Sequence, residues 1–264
     1  MTSAPAPAPA PKQTTILFIP GAWHSPECFT KLLAPLAEAG YTTELVHLPS
    51  LNPSTPHTDF FAEDVTHIRT RIEAAASTGH QIILFVHSYG GIPGSEAVRG
   101  LDYRTRQATL KTQPGGVTHI FYCCSFLIPE GSSLISAIWG EDLPWFRISG
   151  DGEVVTPADP GAVFYNDMDE GDVRVAVEAL RPHNYMTFHS VVGYAAWKYV
   201  PCTYLYCLRD SAIPIAAQRM MVEEVAVGVG IRTEVVDASH SPFYSVPGEV
   251  VGAVRRAAGE LYLS

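Results

Sequence analysis

Charge is scarce in this 264-residue chain, and positive charge above all. Lys and Arg number 17 against 27 Asp and Glu, charged residues make up 17% of the total, and the net charge is −10. An acidic surface repels phosphate backbones and anionic headgroups, which argues against nucleic acid and membrane surfaces as partners. No apolar run is long enough to span a bilayer. The N-terminus has neither the basic residues nor the apolar core of a signal peptide, so a cytoplasmic location is expected. Cysteine is sparse too. Five occur, at Cys28, Cys123, Cys124, Cys202 and Cys207, and none is spaced as C-x-x-C. An odd number, set mostly in apolar runs, predicts free buried thiols in a reducing compartment. No histidine cluster has zinc-ligand spacing, so no metal is expected. Internal repeats are lacking as well. What is abundant is apolar surface: 47% of residues, enough for a sizeable core. The length suits one α/β domain with an insertion, or two small domains.

The most informative stretch is Val86-His87-Ser88-Tyr89-Gly90-Gly91. It ends the apolar run Ile82-Ile83-Leu84-Phe85-Val86, which reads as a strand buried on both faces. The glycines open a segment that reads as helix. A serine on a sharp strand-to-helix turn is a nucleophile elbow. The turn strains Ser88 and lifts its hydroxyl clear of the sheet. N–H groups at the helix start, that of Tyr89 among them, face the same point and stabilise negative charge forming on a substrate oxygen. The usual pattern is G-x-S-x-G. Here Val86 fills the first position, and its side chain must find room beside the neighbouring strands. A plain glycine-rich turn is the competing explanation.

Along the chain, residues 1–13 form a Pro/Ala tail that buries too little apolar surface to offset its ordering entropy, so it is expected to be flexible. Thr15 to Ile19 is the first strand. The loop after it, Pro20-Gly21-Ala22-Trp23-His24-Ser25, stands where a second oxyanion donor arises, from the N–H of Ala22 or Trp23. A simple loop with Trp23 packed in the core fits the same residues. Periodicity and turn signals then predict a helix over 26–39, a strand over 42–47, a loop over 48–57 and a helix over 60–76. The helix beyond the elbow runs towards Leu110, interrupted near Gly100. A strand follows at Val117–Cys124, with His119 reading as structural. Further strands are expected at Cys202–Leu208 and Ile231–Val236, with helices over 214–227 and 247–262. Between Leu127 and Val192 the strand–helix alternation breaks. This block is rich in aromatics, including Trp139, Trp145, Phe146, Phe164, Tyr165 and Phe188. It is expected to form a cap, residues 127–192, over a core made of 14–126 and 193–264. Such a cap suggests an apolar, even aromatic or polyketide-like, substrate.

A serine hydroxyl needs a base, and an imidazole needs a carboxylate to hold its tautomer and stabilise its charged form. Asp210 follows one predicted strand, His240 follows the last, and Ser88 follows an earlier one. Equivalent ends of parallel strands lie on one edge of a sheet, so the three converge there. Their order is that of the α/β-hydrolase triad. Taken singly, Asp210 also reads as a turn residue and His240 as a helix-capping loop residue. Asp237 is the rival carboxylate, set too close to its strand to be preferred.

From Thr15 onward the chain resembles the α/β-hydrolase superfamily, in the segments P-G-A-W-H-S-P-E-C-F, V-H-S-Y-G-G, V-F-Y-N-D-M, R-D-S-A-I-P and A-S-H-S-P-F. It is most similar to small cap-bearing serine hydrolases of fungal secondary metabolism, related to plant methyl esterases and hydroxynitrile lyases. The resemblance implies an α/β fold, with a mostly parallel sheet, helices on both faces and an inserted cap. It implies no cofactor. It gives Ser88, Asp210 and His240 the roles of nucleophile, acid and base, with ester, thioester or lactone hydrolysis as the expected activity. Residues expected around the substrate are Trp23, His24, Phe126, Trp139, Tyr165 and Phe243. The expected partners are a small-molecule substrate and, at most, a second copy of the chain. Two other readings use the same residues. In one, His240 is the base for C–C cleavage, cyclisation or lyase chemistry. In the other, the chain is a non-catalytic small-molecule receptor.

Overall fold

Side chains alternate between two apolar layers along each central strand, and that alternation fixes the architecture. The computed structural model describes residues 13–53, 59–110 and 115–260; the predicted tail through residue 12, the end of the predicted loop over 48–57 and the end of the last predicted helix lie outside them. Six parallel strands build the main sheet: β1 (Thr14–Ile19), β2 (Thr42–Leu45), β3 (Gln81–His87), β4 (Gly116–Cys123), β8 (Cys202–Cys207) and β9 (Arg232–Val236), in the order β2-β1-β3-β4-β8-β9. Leu17 and Ile19 on β1, Leu84 and Val86 on β3, and Tyr122 on β4 enter one cluster. Ile16, Phe18, Phe85, Phe121 and Cys123 enter the other. Both faces are covered, which is why these strands read as unbroken apolar runs.

The helices Phe60–Ser77 and Gly91–Ala97 cover the first face, with Ile68, Ile72 and Ile92 buried. Thr30–Glu38 and Pro247–Ala257 cover the second, through Leu32, Leu36, Val250 and Val254. All five cysteines are buried free thiols.

Several helices are shorter than their periodicity suggested. The expected helix over 26–39 starts as a 3₁₀ turn, Pro26–Phe29. The helix beyond the elbow ends at Ala97, a second begins at Tyr103, and Gly100 between them has φ +73°. Within 214–227 an α-turn, Ile215–Arg219, passes into a π-helical one, Met220–Val225. The aromatic block between β4 and β8 contains its own antiparallel sheet, β5 (Phe146–Ile148), β6 (Val154–Pro157) and β7 (His183–Asn184), in sequence order. Strands this short carry too little alternation to be read from sequence. No helix among the described residues is long and apolar enough to cross a membrane.

Candidate active site

Because the strands are parallel, the loops after β1, β3, β4, β8 and β9 gather on one edge of the sheet. Three non-glycine residues there have left-handed backbones: Trp23 (φ +65°), Ser88 (+52°) and Cys124 (+34°). Such conformations persist only where surrounding contacts impose them. At Ser88 those contacts are visible. Its carbonyl accepts the Phe126 N–H at 3.0 Å and the Ser125 hydroxyl at 2.6 Å. Gly90 is obligatory because a Cβ there would meet the carbonyl oxygens of Pro20 and Ile19. Room for Val86 comes from the next turn of helix: a Cβ at Gly94 would stand 2.8 Å from Val86 Cγ1. The bulk missing at Gly94 accommodates the bulk gained at Val86.

His240 and Asp210 meet. The His240 Nδ1–H donates to Asp210 Oδ2 at 2.8 Å, with both side chains buried. The Asp210 Oδ1 accepts the N–H groups of Ala212 and Ile213, each at 2.8 Å. Its Oδ2 also accepts from Gln218 Nε2 at 3.1 Å. Gln218 is fully buried and donates to the Ile213 carbonyl at 2.7 Å, while its Oε1 accepts the Cys207 N–H. A single amide therefore holds the acid to the end of β8. Behind the base, the His240 carbonyl accepts from His87 Nε2 at 2.9 Å and from Cys124 Sγ at 3.2 Å. Burial, with His240 and His24 nearby, pushes the His87 pKa well below 6.5. His87 is therefore a neutral donor to His240, not a rival base.

Ser88 and His240 line one narrow cavity, together with Ala22, Trp23 and Tyr89. The remaining wall is apolar: Phe126, Leu134, Leu143, Trp145, Phe146, Phe164, Phe188, Ala212 and Ile213. Trp23 is its hub. Its ring lies 5.4 Å from Trp145, 5.6 Å from Phe164 and 5.7 Å from Phe188, and its Nε1–H donates to the Val155 carbonyl on β6.

Of the residues expected around the substrate, Trp23 and Phe126 line this cavity. Trp139 does not; it is 75% exposed on the surface. Phe243 lies behind the site, 5.0 Å from the His87 ring and 4.8 Å from Phe29. His24 and Tyr165 are buried to one side of it. His24 Nδ1 donates to the Ala22 carbonyl at 2.8 Å, and the Tyr165 hydroxyl donates to His24 Nε2 at 2.9 Å. Burial lowers the His24 pKa to about 4, so the ring keeps the neutral form this pairing needs. The Ala22 carbonyl and the Trp23 N–H share one peptide plane, so fixing the first fixes the second.

Two residues at the site have no motif to announce them. Gln218 is one. The other is Asp64, fully buried beneath the elbow, where its Oδ1 accepts the Ser50 N–H (2.9 Å) and its Oδ2 accepts the hydroxyls of Ser50 (2.7 Å) and Tyr89 (2.8 Å). Burial outweighs these bonds and raises the carboxyl pKa from 3.8 to about 7. Among the described residues one trio of possible metal ligands, His87, Cys124 and His240, has its ligand atoms within 4.8 Å of one another. Two of these groups give their protons to the His240 carbonyl, so an ion would first have to displace those bonds.

The sequence is 31% identical over 249 residues to the alpha/beta hydrolase nvfD of Aspergillus novofumigatus, covering 93% of this chain and 96% of that one. It is 24% identical over 267 residues to methylesterase 18 of Arabidopsis thaliana, covering 93% and 97%. Among solved structures, the pyrethroid hydrolase PytH superposes with a TM-score of 0.74 at 21% identity, over 94% of this chain and 98% of that one. Polyneuridine aldehyde esterase superposes with a TM-score of 0.73 at 17% identity, over 94% and 100%. The sequence profile of the alpha/beta hydrolase family matches residues 16–253, and the chain belongs to that family.

Proposed function

We propose that this alpha/beta hydrolase is a serine esterase that cleaves an ester, thioester or lactone of a small apolar substrate through an acyl-enzyme. The observation that carries the reading is the meeting of three features: Ser88 in a strained backbone, His240 in the same cavity, and Asp210 bonded to His240 Nδ1 at 2.8 Å. In this mechanism Ser88 Oγ attacks the carbonyl carbon and its proton passes to His240 Nε2. Asp210 keeps Nδ1 protonated and stabilises the imidazolium. The oxyanion rests on the N–H of Tyr89 and that of Ala22 or Trp23. His240 then protonates the leaving group and deprotonates the water that releases the acid.

The aromatic block between β4 and β8 acts as the cap. It supplies Trp145, Phe146, Phe164 and Phe188 to the wall, so the reacting end of the substrate is uncharged and water is held off. Similarity to methylesterases and a pyrethroid hydrolase supports an ester as the bond cleaved. The test is covalent labelling with a fluorophosphonate, followed by mapping of the adduct, beside ester turnover by Ser88→Ala. The adduct is expected on Ser88, and the variant is expected to lose on the order of a thousandfold or more in kcat. Labelling elsewhere, or turnover surviving in Ser88→Ala, overturns the acyl-enzyme and favours chemistry driven by His240 alone.

A further inference from the structure

The loops bearing Asp210 and His240 leave the sheet at Cys207 and Val236, where strand pairing ends. Beyond Cys207 two backbone bonds join them, from the Leu208 N–H to the Val236 carbonyl and from the Arg209 N–H to the Ala238 carbonyl, and the Arg209 guanidinium reaches the Asp237 carbonyl and carboxylate. Gln218 ties the acid loop to β8, and His87 and Cys124 hold the His240 carbonyl. In addition, both loops are fastened to one short stretch of the block between β4 and β8, Phe164–Asp167. Asn166 Nδ2 donates to the Arg209 carbonyl at 3.0 Å and to Ser211 Oγ at 2.8 Å, one bond on each side of Asp210. Asp167 Oδ2 accepts the Ser239 N–H at 2.9 Å and the Ser245 hydroxyl at 2.7 Å, bracketing His240. The Ser239 hydroxyl returns a bond to the Phe164 carbonyl at 3.0 Å, and the Phe164 ring lies 5.6 Å from that of His240.

We infer that Asn166 and Asp167 are positioning residues: they clamp the acid loop and the base loop to each other, so that the Asp210–His240 pair reaches its working geometry only while this stretch of chain is seated. The inference rests on the serine hydrolase reading above. Asp167 is suited to the task. Its side chain is 1% exposed. Burial pushes its pKa up, but the bonds from Ser239 and Ser245 and the Arg209 charge outweigh that and hold it below its usual value, so it is an ionised acceptor at neutral pH. The Arg209 guanidinium lies 3.9 Å away and is bonded to Asp237, so the cation beside the clamp is itself fixed. Neither Asn166 nor Asp167 lines the cavity, so neither touches substrate. Their effect falls on the reacting geometry, where displacement by about 1 Å costs about a hundredfold in rate.

The experiment compares wild type, Asp167→Ala, Asp167→Asn and Asn166→Ala on a p-nitrophenyl ester. Measured are kcat and KM separately, the rate of Ser88 phosphonylation by a fluorophosphonate, and Tm. Asp167→Ala and Asn166→Ala are expected to lower kcat and the phosphonylation rate together, by about tenfold or more, with KM within about threefold. Asp167→Asn keeps an acceptor oxygen for Ser239 and Ser245, and is expected to return kcat to within about threefold of wild type. Rescue by Asn, with the loss confined to kcat, is a pattern that general loosening of the fold would not give. Should Asp167→Ala fail to fold, Asn166→Ala, an exposed position, decides the matter alone. Unchanged kcat in the Ala variants, or a loss that falls on KM, overturns the clamp and leaves the hydrolase intact. A wild-type protein neither active nor labelled at Ser88 overturns both.

Discussion

Replacing Asp64 by Asn should flatten the pH dependence of stability while leaving the fold unchanged. Asp64 is fully buried and its carboxyl titrates at about 7, against 3.8 when unperturbed. The folded chain therefore binds this proton more tightly than the unfolded chain. Between those two values the unfolded state releases the proton first, so stability falls as pH rises and the loss is complete above the folded pKa. At 1.36 kcal/mol per pH unit, the whole loss is on the order of 4 kcal/mol, of which roughly 2.5 kcal/mol falls between pH 5 and pH 8. In a chain of this size that is a change in Tm of roughly 5 °C. Asn fits the same space. Its oxygen can accept the Ser50 N–H, and its NH₂ can donate to the Ser50 and Tyr89 hydroxyls, which turn from donors into acceptors. The assay is a series of thermal or urea melts of both proteins from pH 4 to pH 8.5, plotted as the difference between them so that other titrations cancel. The variant should gain on wild type steadily as pH rises. A difference that stays flat across this window would show that Asp64 is ionised throughout, and the reasoning from burial would fail. Because Tyr89 carries the proposed oxyanion N–H, esterase activity should also fall less steeply above pH 7 in the variant.

Two further perturbations probe the packing around the elbow and the acid. Gly94→Ala sets a methyl against Val86 Cγ1 and should cost about 1–3 kcal/mol in urea unfolding; combined with Val86→Ala the loss should be smaller than the sum of the two single losses, and additive losses would refute the pairing. Gln218→Glu places a second carboxylate about where the amide stood, 3.1 Å from Asp210 Oδ2. One of the two acids must then hold a proton at neutral pH, and kcat should fall while KM holds; an unchanged kcat would show that Gln218 does not bear on the acid.

Much of this protein is legible in its sequence because the relevant physics is local. Strands buried on both faces must be apolar throughout, so β1, β3, β4 and β8 stand out as runs. A parallel sheet brings equivalent strand ends to one edge, so the meeting of Asp210 with His240, and of His240 with Ser88 in one cavity, follows from strand order alone. Which side chains face that cavity is a different matter, because it depends on contacts between residues far apart in sequence. The tertiary structure placed Trp139 on the surface and Trp145 in the wall, although both are tryptophans of the same block. It turned His24 and Tyr165 aside to hold a peptide of the loop after β1, and set Phe243 behind the base. It also brought Asp64 under Tyr89 and Gln218 against Asp210, and found space for Val86 at Gly94. A buried polar side chain is fixed by the partner that satisfies it, and only the folded chain determines which partner that is.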